Sequence, residues 1–472
     1  MWIRRSNPNY SFPPGLEHNL LWYAFRKFKP QDPIALFEEL ARRFGPIAHY
    51  QIGPEHIVFV NHPEWIREIL VVQNDNFVKE RTVQRTKMLL GEGMITSEGR
   101  QHRAQRQVAQ PAFHRQRIGA YADAIVEEAV NLRDSWQAGE TLDIAQEMMR
   151  LTLRIVARTL FGTELALPQA KALADAINKI MGLYHYLVIL PAVETLVRLN
   201  APKVGAFGPA RARLDGVVYN MIEDRRRRGS GDSGDLLDMM LAAAGEGPEA
   251  EKQLRDQIIT IFLAGYETVA NALTWTWYLL SENPAARHTL QQEVDAVLAG
   301  RTPTLEDVPQ LKYCEMALAE SMRLYPPAWA MGRRALNDFR LGPYFLPKGT
   351  TLLISQFITH REEQYFPDPL RFDPLRFTAE EKAKRPKFVY FPFGAGPRQC
   401  IGEAFAWMES VLVMATLAQK WQLQMVPGHR VQPQPLITLR PKYGMKMTVA
   451  QVPLGYGNGA TSFRKPLSFS RG

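Results

Sequence analysis

"FPFGAGPRQCIG", residues 391–402, sets one cysteine among three glycines, two prolines and an arginine. The only other cysteine, Cys314, falls inside a predicted helix, so a disulfide explains little. A structural zinc site needs about four Cys or His ligands, and none cluster here. What remains is one sulfur with one special task. Behind it, Ile401, Ala404, Phe405, Met408, Val411 and Leu412 recur at helical spacing, which puts Cys400 at or just before a helix N-terminus. Free N–H groups and the helix dipole there favour thiolate over thiol. Gly394, Gly396 and Gly402 allow unusual backbone angles or the close approach of something large and flat. Such a thiolate suits an iron ligand, and cysteine-ligated haem has electron density pushed toward the O–O bond.

These residues resemble the signature F-x-x-G-x-x-x-C-x-G of the cytochrome P-450 superfamily, the haem-thiolate monooxygenases, which Phe393, Gly396, Cys400 and Gly402 meet without exception. The resemblance implies a mainly α, single-domain fold with small β-sheets. It places haem b (iron protoporphyrin IX) between a long central helix and the cysteine-loop helix. It further implies Cys400 as the axial iron ligand, Phe393 beside the haem, Arg398 on a propionate, and Gly396 and Gly402 in the haem-binding loop.

Three upstream stretches extend the match. "ALAESMRLYPP" puts Glu320 and Arg323 on one helix face, ahead of Pro326-Pro327, where the helix must end. It looks like the family's E-x-x-R motif, and "DPLRF" (373–377) supplies Pro374, Arg376 and Phe377 to lock it; all are read as structural. "AGYETVAN" lies in the apolar run "IITIFLAGYETVANALTWTWYLL" (258–280). Its glycine and threonine invite a local helix distortion, and an acid beside a hydroxyl can carry protons. By resemblance to A-G-x-[DE]-T, Glu267 and Thr268 deliver protons to dioxygen at the iron, while Ala264 and Gly265 leave the oxygen pocket open. "GRQHRAQRQVAQPAFHRQR" (99–117) holds seven Arg and His residues and no acid. The family's W-x-x-x-R would fall here, with His102 in place of the tryptophan and Arg106 as its arginine. Together with Arg333 in "MGRRAL", these are the expected propionate partners.

The remaining features set bounds. The 472 residues are 46% hydrophobic and 22% charged, as in a soluble globular protein able to enclose a small molecule. Two cysteines fit a reducing compartment, and the expected location is cytoplasmic. Residues 1–20 read as an N-terminal extension without signal peptide or integral membrane anchor, 21–453 as the catalytic domain and 454–472 as a disordered tail. The 258–280 run is long enough to span a membrane, but Glu267 and Asn271 near its middle favour a buried helix, with charged residues 251–256 as its start. "EDRRRRGSGDSGD" (223–235) reads as an exposed loop after a helix end, and 183–199 is unusually apolar for a surface segment. The net charge of +9 lacks the stacking aromatics of a nucleic-acid binder.

The reaction implied is insertion of one atom of dioxygen into an apolar substrate of the fatty acid, terpenoid or carotenoid class. Electrons would come from a separate ferredoxin or flavodoxin with an NAD(P)H-dependent reductase, docking on the basic 100–117 face. The rival readings are a haem-thiolate peroxygenase or isomerase, disfavoured by the retained acid–alcohol pair, and a non-catalytic haem ligand-binding protein.

Overall fold

The computed structural model describes residues 9–17, 32–164, 177, 207–229 and 234–452. The apolar segment at 183–199 and the tail from 454 lie outside them. The first helix, α1 (Pro33–Phe44), starts where the Asp32 side chain accepts from Ala35 N–H at 3.1 Å, and stops at Gly45, whose φ is 72°. It covers the face of a hairpin, β1 (Ile47–Ile52) and β2 (Glu55–Val60), with Phe37 stacked on Phe59. The following "PEWIREIL" begins as α-helix and ends in a π-helical turn over Glu68–Val72. Next come β3 (Phe77–Lys79), α2 (Gly99–Ala109), α3 (Ala122–Ser135), α4 (Ile144–Phe161) and α5 (Phe207–Arg228). The 35-residue α6 (Pro248–Glu282), α7 (Pro284–Leu298) and α8 (Lys312–Leu324) follow, then β4 (Met331–Ala335), β5 (Thr351–Ile354), α9 (Glu403–Ala418) and β6 (Leu439–Pro441).

One mixed sheet runs in the order β1-β2-β5-β4-β3, with only β2 and β5 parallel. Its register sets Lys79 directly opposite Arg333. The helical part is built around α6, which packs on α4, α8 and α9. Trp275, Trp277, Phe262 and Tyr266 of α6 are buried there. Gly265 allows the close contact with α4, since a Cβ would lie 3.0 Å from Val156. Thr152 of α4 donates its hydroxyl to the Tyr266 carbonyl at 2.8 Å.

Three local expectations change. First, α6 is α-helical throughout; no 3₁₀ or π segment interrupts 264–268. The Thr268 hydroxyl bonds the Ala264 carbonyl within the regular ladder, so the hydroxyl is accommodated without breaking it. Second, α6 starts at Pro248, so residues 251–256 lie inside it, and Arg255 and Asp256 are buried. Third, α5 continues to Arg228, and Arg225 is a nearly buried ion-pair partner of Asp235 (2.7 Å) and Asp238 (2.6 Å), not a loop residue. The α6 helix is long and apolar enough to cross a membrane, but 78% of that apolar window is buried inside the protein.

One core group stands out energetically. Glu409 of α9 is fully buried, and among the described residues neither carboxylate oxygen has a hydrogen-bond partner. Burial pushes its pKa well above the usual carboxylate range. Between the unfolded carboxylate value and that raised value the folded state binds more protons, so stability falls as pH rises through the window. Glu409→Met is expected to stabilise the fold at neutral pH by on the order of 1–3 kcal/mol. It should also flatten this pH slope, read by urea titration at several pH values.

Candidate active site

The cysteine loop enters α9 through a strained turn. Gly394 and Gly396 both have φ of 71°, where side chains are costly. A Cβ on Gly396 would also sit 2.0 Å from the Leu70 carbonyl oxygen, so only glycine lets the loop lie against the π-helical turn. Cys400 N–H donates to the Phe393 carbonyl at 3.0 Å, and Arg106 Nη1 on α2 donates to the Gln399 carbonyl at 2.7 Å. The half-buried Phe393 ring lies 5.8 Å from that of Trp407. Gly402 is the N-cap of α9 without positive φ; its N–H reaches the Cys400 sulfur.

Cys400 is exposed, yet protein surrounds it on most sides. Burial is the largest influence on it and pushes the thiol up to about 11, against the smaller opposing pulls of Gly402 N–H and Arg106. The shift runs against the expectation from the helix terminus, because the surrounding protein raises the thiol by more than Gly402 N–H lowers it.

On α6, Phe262 and Tyr266 are buried, while Ala264 is exposed and Leu263, Gly265 and Thr268 are half-buried. Ala264 is thus an open position midway along an otherwise largely buried helix. The Thr268 hydroxyl donates to the Ala264 carbonyl at 2.8 Å. Glu267 turns elsewhere: it is buried, and its Oε1 accepts from the Thr438 hydroxyl and from Arg440 Nε (2.7 Å) on β6. Among the described residues no hydrogen bond joins the side chains of Glu267 and Thr268.

The basic residues converge. Arg333 is 5% exposed and its Nε has no partner among the described residues; burial lowers its pKa to about 10. His102 is lowered to about 4 by burial first, then by Lys79, Arg106, Arg103 and Arg333, so it is neutral at pH 7. Lys79 is pushed well below the usual lysine range by burial and by Arg333 and Arg398. Arg398 donates to the Ser97 carbonyl at 3.1 Å and pairs with Glu98. Lys79 and Arg333 face each other across the strands, an arrangement unfavourable for like charges, and Glu80 is the acid that acts on both in the opposite sense. The donor set therefore fits a flat group with two carboxylates and an iron taking one thiolate. The sequence did not single out Lys79, Glu98, Thr438 or Arg440. Lys79 becomes visible only through the β3–β4 register, and Arg440 only through the contact of β6 with α6.

The E-x-x-R pair is fully buried: Arg323 Nε and Nη2 donate to Glu320 at 2.6 and 2.8 Å, and Arg376 Nε lies 3.4 Å from the same carboxylate. These three come together as read from the sequence, away from the exposed surface.

Comparison with known proteins follows the same lines. A family model described as cytochrome P-450 matches residues 13–449. Cyclooctatin synthase of Streptomyces melanosporofaciens is 36% identical over 398 residues, covering 84% of this chain and 86% of that protein. Cyclooctat-9-en-7-ol 5-monooxygenase of the same organism is 36% identical, covering 81% and 84%. Pentalenene oxygenase of Streptomyces avermitilis is 32% identical, covering 84% and 88%. Among solved structures, a cytochrome P-450 crystal structure superposes with a TM-score of 0.79 at 26% identity, covering 89% of this chain and 99% of that one.

Proposed function

The chain belongs to the cytochrome P-450 family and is a monooxygenase of that family, and on this premise we propose that its substrate is a terpenoid. The observation that carries the substrate class is the similarity to relatives named for cyclooctat-9-en-7-ol and pentalenene. Among the relatives whose names carry a substrate, these are the more similar ones, at 36% and 32% identity. The cofactor is haem, which we assign as haem b, with Cys400 as the axial ligand and Phe393, Gly396 and Gly402 shaping the loop around it. Arg333, Arg106, His102 and Arg398 would hold its propionates, with Lys79 beside them. When bound, haem supplies the activation of dioxygen for insertion of one oxygen atom into a C–H or C=C bond, the other leaving as water.

The chain's own residues do the rest. Ala264 and Gly265 keep the wall of the space low, so an apolar substrate can approach. Thr268 holds a proton on Oγ1, now shared with the Ala264 carbonyl, and can turn it toward the open side. Glu267 accepts from Thr438 and Arg440; moving a proton through its carboxylate requires that contact to loosen. Thr268→Ala is expected to keep reductant consumption while product formed per reductant falls on the order of tenfold or more, measured as coupling efficiency. Unchanged coupling would remove Thr268 from the mechanism.

Electrons come from a separate redox partner. We assign an acidic ferredoxin or flavodoxin, because Arg100, Arg103, Arg115 and Arg117 are exposed on the segment that Arg106 ties to the cysteine loop. The functional test is titration of the holoenzyme with cyclooctat-9-en-7-ol, pentalenene, palmitate and β-carotene, followed by turnover with ferredoxin and reductase. A spin-state shift with the terpenoids and a product heavier by one oxygen from isotopically labelled dioxygen is the expected result. Turnover of palmitate or carotene alone would overturn the substrate class.

A further inference from the structure

Arg255 and Asp256 are both 2% exposed and take no part in the chemistry above. Arg255 is nonetheless a node for three elements. Its Nε donates to Asp215 of α5 at 2.8 Å, and its Nη1 donates to the Leu89 carbonyl at 2.9 Å and to Asp256 Oδ1 at 2.8 Å. The other oxygen of Asp256 accepts from Glu92 N–H at 2.9 Å. The 87–96 segment is thus held by main-chain groups on both sides of its turn. Its own bonds stiffen it: Gln105 Nε2 donates to the Glu92 carbonyl at 2.7 Å and Thr96 Oγ1 to the Gly91 carbonyl at 2.6 Å.

The contact is too close for side chains. A Cβ on Gly91 would lie 1.9 Å from Asp256 Oδ2, and one on Gly93 would lie 1.9 Å from Thr260 Oγ1. Residues 256, 260 and 264 follow one another at intervals of four along α6 and form one row on its surface. The 87–96 segment covers the first two positions, and the third is the exposed Ala264. The segment is therefore the wall immediately beside the open turn of α6, and a single buried cation ties that wall to α6 and to α5.

We infer that Arg255 is a positioning residue that clamps the 87–96 wall and thereby sets the residence time of molecules over Ala264. The inference rests on the reading of that space as the substrate site. A wall tied down by fewer buried bonds opens more often, so loss of the clamp acts on the rate at which a molecule leaves. The test is stopped-flow release of 4-phenylimidazole, which ligates haem iron from the substrate side, from the full-length holoenzyme and its variants.

Arg255→Met is expected to accelerate release about tenfold, the equivalent of about 1.4 kcal/mol. Arg255→Lys, which keeps the charge but not the fork, should recover part of the difference. Asp256→Asn keeps an acceptor for Glu92 N–H and weakens only the link to Arg255; it should give an intermediate rate and decides the matter if Arg255→Met does not fold. Release within twofold of wild type in the folded variants, with only a lowered thermal midpoint, would reduce Arg255 to a structural ion pair and overturn the inference. Faster release of 4-phenylimidazole supports the clamp even if neither cyclooctat-9-en-7-ol nor pentalenene shifts the wild-type spin state, a result that would sink only the terpenoid assignment.

Discussion

Cys400→Ser is expected to abolish the strongly red-shifted Soret band of the dithionite-reduced, carbon monoxide-treated protein, and turnover should fall to background. The loop's shape does not depend on the sulfur: it is held by Cys400 N–H on the Phe393 carbonyl, by Arg106 on the Gln399 carbonyl and by glycines at 394 and 396. A serine variant should therefore fold, as far-UV circular dichroism can check, and the loss should be one of ligation alone. A variant that kept the red-shifted band would remove Cys400 from the iron. The same sulfur gives a second readout in the haem-free protein. With its thiol pushed up to about 11, Cys400 should resist iodoacetamide at pH 8 and react progressively faster as pH approaches that value. Rapid alkylation of the haem-free protein at pH 7 would mean that the helix terminus does favour the thiolate after all.

The contrast at Cys400 shows what a sequence can and cannot convey. Cys400 stood out as the candidate ligand because a cysteine without a partner, in a glycine-rich turn before a helical repeat, has few other uses. Its protonation was not, because burial depends on everything that surrounds the loop, and here burial outweighs one helix end. The long helix was legible from composition and correctly kept inside the protein by Glu267 and Asn271. Its start was read to within three residues, at 251 against Pro248, but the burial of Arg255 and Asp256 was not legible, since a row of charges carries no mark of the partners that bury it. Arg255 can be buried only because Asp215, Asp256 and the Leu89 carbonyl, from three distant stretches, meet it. The pairing of Glu267 with Arg440 escaped for the same reason, as 173 residues separate the two. Motifs report positions whose chemistry is local. Networks assembled by long-range contact leave no comparable trace.

Arg323→Met is expected to prevent accumulation of folded, haem-loaded protein, the largest effect of any single substitution outside the cysteine loop. Arg323 is fully buried and uses its whole guanidinium. It donates twice to Glu320, and also to the carbonyls of His360 (3.0 Å), Pro369 (2.8 Å) and Arg371 (3.2 Å), with the Phe366 ring 5.1 Å from its centre. Glu320 in turn accepts from Asp373 N–H at 3.0 Å. One arginine thus joins α8 to the chain at 360–373, the approach to the cysteine loop. Breaking a buried pair costs about 3–5 kcal/mol, and each carbonyl left without a donor adds about 1–3 kcal/mol. The sum matches or exceeds the whole stability of an ordinary domain, about 5–15 kcal/mol. Arg323→Lys should fail nearly as badly, because one ammonium cannot serve two carboxylate oxygens and three carbonyls in a planar fork. Glu320→Gln should be milder, since the amide oxygen still accepts one arginine N–H and the Asp373 N–H has water as its alternative only after local opening. Soluble yield, haem per protein and thermal midpoint measured together separate these cases. If Arg323→Met gave haem-loaded protein with a near-native midpoint, the pair would be dispensable, and the register of the 360–373 segment would have to be held by Arg376, which donates to the Asp368 carbonyl at 3.0 Å, instead.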